Sequence, residues 1–421
     1  MEHKSKFRLT KLERNWILYD VGNSAFVLMV ATLIPIFFNA LAEAGGLSTV
    51  EYLAYWGYAS SAVTVITAIL SPILGTVADT KGFKKPIFML CVWVGVVGCI
   101  AMGKMSSWLP FLIIFVIAKV GFSGSLVFYD SMLSDVTTPE RMDEVSSKGY
   151  AWGYIGSCVP FVACLGLVLG ADKIGISQMK ALNLALLLTA AWWTITTLPL
   201  IGSYKQLHYV EVEQHAVRQS FARIGHTLRH LPEDKQVFWF LLAFFCYIDG
   251  VYTIIDMATA YGTALGLDTT GLLLALLVTQ IVAFPSALVF GRLSNRYPSA
   301  KLIPVCIAAY AGIAVFAFFL TQQWQFWVLA VIVGMFQGGV QALSRSHFAK
   351  ITPPEKSGEY FGLFDICGKG ASFLGTMIVS VGSQLTGSAN VGVGSLIVLF
   401  VVGFVLFRVS CRQDETTYKG F

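Results

Sequence analysis

Apolar runs of about 20 residues recur from one end of the chain to the other. At ~1.5 Å per helical residue, each is long enough to cross a ~30 Å hydrocarbon core. This commits the chain to an all-α, polytopic membrane protein. Composition agrees: of 421 residues, 56% are hydrophobic and 13% charged, where a soluble chain carries about a quarter charged. A disordered chain, a secreted disulfide scaffold and a soluble enzyme with one anchor are thereby excluded. Twelve spans are expected, at about 15 to 41, 50 to 78, 86 to 103, 108 to 134, 148 to 170, 180 to 202, 236 to 263, 269 to 292, 301 to 320, 324 to 349, 359 to 382 and 393 to 410.

The net charge of +5 is explained by placement and not by a nucleic-acid partner. Of the 29 Lys and Arg residues, 24 fall in the tails, loops and adjoining span ends on the side of the termini. Lys104, Lys173 and Lys180 lie on the other side, while Lys119 and Lys369 lie inside spans. The positive-inside rule then sets both termini in the cytoplasm. The expected plan is a cytoplasmic tail (1–14), a six-span bundle (15–202), a cytoplasmic linker (203–235), a second six-span bundle (236–410) and a cytoplasmic tail (411–421). Ala40-Leu41-Ala42 resembles a signal-peptide cleavage site, but the apolar stretch before it is too long for that role and contains Asp20. None of the eight cysteines is placed in an outer loop or spaced for zinc, and the histidines sit mostly in the polar loop and tail, so no disulfide framework, metal or cofactor is expected.

The chain repeats itself. Gly75-Thr76-Val77-Ala78-Asp79-Thr80-Lys81-Gly82-Phe83-Lys84-Lys85 aligns with the segment Gly291 to Lys301 at an offset of 216. The segment Asp130 to Arg141 aligns with Arg345 to Lys356 at an offset of 215. Two matches some 60 residues apart that agree within one residue mark two six-span halves in the same orientation. In the polar segment between them, Val217, Phe221, Ile224, Leu228 and Leu231 recur at helical spacing, which predicts an amphipathic linker helix on the cytoplasmic surface.

Parallel repeats of this kind resemble the two halves of a major facilitator transporter, with the substrate path between them, and the loop from Gly75 to Lys85 resembles that superfamily's signature loop. There Gly75 lets helices approach closely, Asp79 can pair with a basic group or cap a neighbouring helix, and Lys84 and Lys85 are expected at the anionic inner surface. In the second half Asn295 stands where an acid is expected and Pro298 where a glycine is expected. A closer resemblance is carried by Trp16, Tyr19-Asp20, Gly22-Asn23-Ser24-Ala25-Phe26, Val127-Phe128-Tyr129 and Gly149-Tyr150-Ala151-Trp152-Gly153-Tyr154 in the first half. In the second half it is carried by Asp249-Gly250-Val251, Gly338 to Ser346, Phe361-Gly362, Asp365 and Gly368-Lys369. These resemble the vacuolar amino-acid effluxer branch of autophagy-related proteins and its bacterial relatives, with Asp130 and Asp256 departing from the pattern. The resemblance implies a secondary transporter in which the first, fourth, seventh and tenth spans line a cavity. It implies a small-molecule substrate, a monomer is expected, and the short length suggests a bacterial protein in the plasma membrane.

An ionisable side chain within a span costs at least ~2.5 kcal/mol near the bilayer centre, so it calls for a partner or an aqueous cavity. Lys119, Asp249 and Lys369 fall near mid-depth, where opposite charges suit a zwitterion such as an amino acid; a lysophospholipid headgroup fits the same pattern. Tyr19 and Asn23 join them as expected substrate contacts, and Asp20, Asp249 and Asp256 as expected proton-coupling groups. The alternative for the lysines is a structural pairing with acids or helix carbonyls. Asp130 and Arg345 occupy equivalent positions with opposite sign and would form an inner gate together with Asp365, Gly75, Asp79, Lys84 and Lys85. The competing reading ties Arg345 to Asp365 within one half. No Walker loop, nucleophile elbow or intramembrane-protease aspartate pair is present, which argues against an ATP-driven pump and against an enzyme.

Overall fold

The protein is described by a computed structural model covering residues 7–211, 225–227 and 229–418. Among the described residues twelve long helices form two bundles of six. The first bundle consists of α1 (Lys11–Ala31, continuing beyond a break at Thr32 as Leu33–Ala44), α2 (Thr49–Ala78), α3 (Lys84–Met102), α4 (Trp108–Ser131), α5 (Met142–Leu169) and α6 (Gln178–Ser203). The second consists of α7 (Lys235–Ala264), α8 (Thr269–Leu293), α9 (Ser299–Phe318), α10 (Gln323–Ile351), α11 (Ser357–Thr386) and α12 (Ile397–Tyr418), the last preceded by the short helix Ala389–Gly394. Eleven of the spans are long and apolar enough among the described residues to cross a membrane. The remaining helix, α11, has the same length as α2, 30 residues, and packs along α2 and α7. The expected spans match these helices, with two informative differences.

The first span breaks at Thr32, whose hydroxyl donates to the Leu28 carbonyl. Pro35 follows within one turn, where it has no N–H to continue the ladder. The fifth span starts at Met142, six residues earlier than expected, and so gains Asp143 and Glu144 in its first turn. Acidic side chains there favour the positive helix N-terminus, and both matter for the contacts between halves. Of the expected linker helix, Val217, Phe221, Ile224 and Leu228 lie outside the described residues; Leu231 begins a single turn of 3-10 helix, Leu231–Glu233.

The duplication extends to details that the two aligned motifs do not contain. On the face away from the termini, Gly46 and Gly266 adopt left-handed backbone, at φ +80° and +73°. The N–H of Leu47 reaches back to Ala42 and that of Leu267 to Gly262, the 6→1 bond of a Schellman C-cap. The next residue caps the following helix: Ser48 accepts from the N–H of Glu51 and Asp268 from that of Gly271.

Candidate functional site

The two bundles meet on the face that carries the termini, and the signature loop is the centre of the contact. Gly75 presses on α11: a Cβ there would lie 2.1 Å from the Gly358 carbonyl oxygen, and one on Gly358 would lie 2.5 Å from that of Gly75. Only two glycines allow this approach. It brings the α11 N-terminus onto Asp79, whose carboxylate accepts from the N–H groups of Gly358 and Glu359 at 2.8 Å each. Helix N–H groups without an intrahelical partner are thus capped from the other half of the molecule. Lys84 sits 3.3 Å from Asp79 and donates to Ser357 Oγ at 2.7 Å. Both expectations for Asp79 hold together, but Lys84 is corrected: its side chain is fully buried instead of lying at the lipid surface. Lys85, its neighbour, remains half-buried.

Asp135, adjacent to Lys84 at 4.0 Å, pins the chain that leaves α6. It accepts from the Tyr204 hydroxyl at 2.5 Å and from the N–H groups of Leu207 and His208 at 3.2 and 2.9 Å. The segment that begins the linker therefore runs under the signature loop, where the N–H of Val210 bonds the Asp79 carbonyl at 2.8 Å.

In the second half, Gly291 packs on α5 and Asn295 donates to Glu144 at 2.9 Å. Alongside, Asp143 accepts from Ser346 Oγ at 2.6 Å and pairs with Lys350 at 2.7 Å. Asp365 accepts from Ser71 Oγ on α2 at 2.7 Å. Between these two latches lies Arg345 of α10, which is 2% exposed. Its guanidinium contacts Asp130 at 3.0 Å and Asp20 at 3.7 Å and donates to Ser146 Oγ and the Ser146 carbonyl. The rings of Tyr150, Trp16 and Tyr129 surround it at 4.3, 4.7 and 5.4 Å. Asp130 and Arg345 therefore face each other across the two halves. Asp143, Glu144, Ser146 and the aromatic rings were not anticipated, although Asp143 and Glu144 stand 215 residues before Gly358 and Glu359, the very offset of the repeat.

Each interhalf polar contact named above lies in the part of the helices nearest the termini. Toward the other face, the charges expected to line a crevice between the halves lie on α4 and α7. Lys119, at the midpoint of α4, is half-buried and stacks over Phe122 at 4.7 Å. It interacts electrostatically with Asp256 of α7, which is exposed although it sits within a membrane helix. Tyr252, one turn from Asp256, lies near Asp130 and Tyr150 of the first half, so this side of α7 faces the seam.

Other expected contacts lie elsewhere. Asp249 is corrected: it is fully buried and accepts from the Gly375 N–H at 2.9 Å and the Thr253 hydroxyl at 3.3 Å. A carboxylate satisfied by helix-to-helix bonds is a tie between α7 and α11, not a cavity group. Tyr19 is likewise buried, donating to Ser125 Oγ at 2.6 Å, and Asn23 donates to the Tyr19 carbonyl at 3.0 Å; both bonds lie within the first bundle. Lys369 lies in α11, and its side chain is outside the described residues. A separate apolar pocket lies within the second bundle, walled by Ile254, Met257, Phe326, Leu329 and Val393 with Gln280 as a polar group.

Twelve helices in two parallel six-helix bundles joined at a central seam define a major facilitator transporter, not an enzyme. Residues 10–416 match the family described as "Vacuole effluxer Atg22 like", and the chain belongs to that family. The MFS-type transporter YxiO of Bacillus subtilis is 42% identical over 414 residues, covering 97% of each chain. Autophagy-related protein 22 of Saccharomyces cerevisiae is 23% identical over 469 residues, covering 90% of this chain and 88% of its own. Among solved structures, the human organic anion transporter MFSD10 superposes with a TM-score of 0.72 at 14% identity, over 94% of this chain and 98% of its own. FucP superposes with a TM-score of 0.70 at 16% identity, over 95% of this chain and 97% of its own.

Proposed function

We propose that the protein is a proton-coupled exporter of small zwitterionic solutes such as amino acids, working by alternating access in a plasma membrane with both termini in the cytoplasm. On that orientation the closed face is cytoplasmic and the crevice is open outward. The observation that carries the reading is the proximity of Lys119 and Asp256, opposite charges from the two halves within membrane helices. A zwitterion satisfies both at once, its carboxylate on Lys119 and its ammonium on Asp256, and leaves no net charge in the membrane. A carboxylate whose lysine has been taken by substrate binds a proton with a different affinity from one still paired, which links cargo to protons. Asp20 and Asp130, beside Arg345, supply a second titratable pair at the cytoplasmic gate, where loss of charge on Asp130 would release Arg345.

The test is uptake into proteoliposomes of amino acids, dipeptides and lysolipids, with and without an imposed proton gradient, for the wild type, Lys119→Ala and Asp256→Asn. Gradient-dependent amino-acid flux that falls at least ~10-fold in either variant is the expected result. Amino-acid flux indifferent to the gradient and to both substitutions would overturn it. The apolar cavity of the second bundle favours a second reading, an amphiphile with its headgroup on the pair and its tail in that cavity. Lysolipid flux with no amino-acid flux would select it.

A further inference from the structure

The groups that hold Arg345 by ion pair, hydrogen bond or ring face come from the first half. They are Trp16 and Asp20 of α1, Tyr129 and Asp130 of α4, and Ser146 and Tyr150 of α5, while the occupant comes from the second half. Gly149 makes the room, since a Cβ there would lie 3.0 Å from both the guanidinium and Asp20. The walls also hold one another without their guest. Trp16 stacks on Tyr129 at 4.3 Å and 15°, the Trp16 indole donates to the Tyr129 carbonyl at 2.9 Å, and the Tyr129 hydroxyl donates to Asp20 at 3.0 Å. When the halves part on this face, the arginine leaves and a preformed receptor stays behind.

We infer that this aromatic cage, vacated by Arg345, is the cytoplasmic loading site for the cationic head of the substrate, an alkylammonium or guanidinium group. Two carboxylates and three ring faces suit an organic cation and repel a carboxylate. Arg345 is then a tethered competitor: its return closes the face and displaces the cation toward the crevice. The inference rests on the alternating-access reading and specifies the chemical class its inward-open state takes up.

The test uses the purified full-length protein carrying Arg345→Gln, with methylguanidinium as probe and neutral methylurea as control, by equilibrium dialysis. Alkylation of Ser147→Cys, at the buried α5 contact with Gly291, reports in parallel whether the face has opened. Methylguanidinium is expected to bind at least ~10-fold more tightly to Arg345→Gln than to wild type, methylurea in neither case, and the gain is lost on adding Asp130→Asn. Faster alkylation without tighter methylguanidinium binding would overturn the cage and leave alternating access standing. Unchanged alkylation together with unchanged binding would overturn both. Should Arg345→Gln fail to fold, methylguanidinium is added to the Ser147→Cys protein with Arg345 in place. There it should accelerate alkylation several-fold over methylurea, and equal rates would overturn the inference.

Discussion

The loops after α2 and after α8 hold equivalent places in the two halves, yet they close the terminal face by different means. Both put a glycine against the partner bundle. The first then adds a buried charge pair, with Asp79 capping α11 and Lys84 reaching Ser357. The second adds one amide donating to a carboxylate, Asn295 to Glu144. The helix each loop meets explains the difference. Helix α5 carries Asp143 and Glu144 in its own first turn, so an acid at 295 would face acids already placed there. Helix α11 begins Ser357-Gly358-Glu359, with one acid in its first turn where α5 has two, and takes its capping carboxylate from across the seam. Duplication kept the close approach in both places, but the first loop carries its own charge pair whereas beside the second the pairing is left to Asp143 of α5 and Lys350 of α10.

Removing Asp79 should therefore break the asymmetry most severely. Asp79→Ala leaves the fully buried Lys84 with only the more distant Asp135 as a counter-charge and uncaps two N–H groups of α11, a loss of ~3–5 kcal/mol by analogy with other broken buried pairs. The expected readouts are a lower melting temperature in detergent and faster alkylation of Ser147→Cys. Replacing both partners, Asp79→Asn with Lys84→Met, should recover much of that loss. A cost for Asp79→Ala no larger than for Asn295→Ala would show that the two latches are equivalent after all.

The next contrast concerns the glycines. A methyl at Gly75 meets backbone, the Gly358 carbonyl, whereas one at Gly291 meets the Ser147 side chain at 2.7 Å. Gly75→Ala should force α2 and α11 apart at ~1–3 kcal/mol, with no single side-chain change able to relieve it. Gly291→Ala should cost less and be rescued by Ser147→Gly. Equal thermal shifts for the two, or no rescue of the second, would contradict the geometry.

Much of this plan was legible beforehand because it rests on local pattern. Apolar runs and a repeat at one offset are written along the chain, and Asp79, Asp130 and Arg345 announce themselves as charges in costly places. What stayed hidden depends on rotation of a side chain about its helix. Asp249 has the depth of a cavity residue but points at Gly375, and a one-dimensional depth count cannot distinguish the two. Lys84 reads as a surface lysine until α11 covers it. The cage around Arg345 draws on α1, α4 and α5, and its α1 residues stand more than a hundred positions from the rest. The Schellman turns at Gly46 and Gly266 repeat at an offset of 220, which a search locked to 216 passes over.

The smallest expected effect sharpens the comparison from the other side. Asn295→Asp restores to the second loop the acid that the first loop carries, and by sequence analogy it should strengthen the latch. The physical expectation has the opposite sign. The Asn295 side chain is a donor to Glu144, and an aspartate can only accept, so a hydrogen bond becomes a like-charge contact beside Asp143 at a cost of ~1 kcal/mol. Alkylation at Ser147→Cys should rise a few-fold, and Glu144→Gln, which supplies the missing donor, should bring it back. Slower alkylation in Asn295→Asp would mean that the acid completes the latch and that the helix α5 carboxylates do not set the residue at 295.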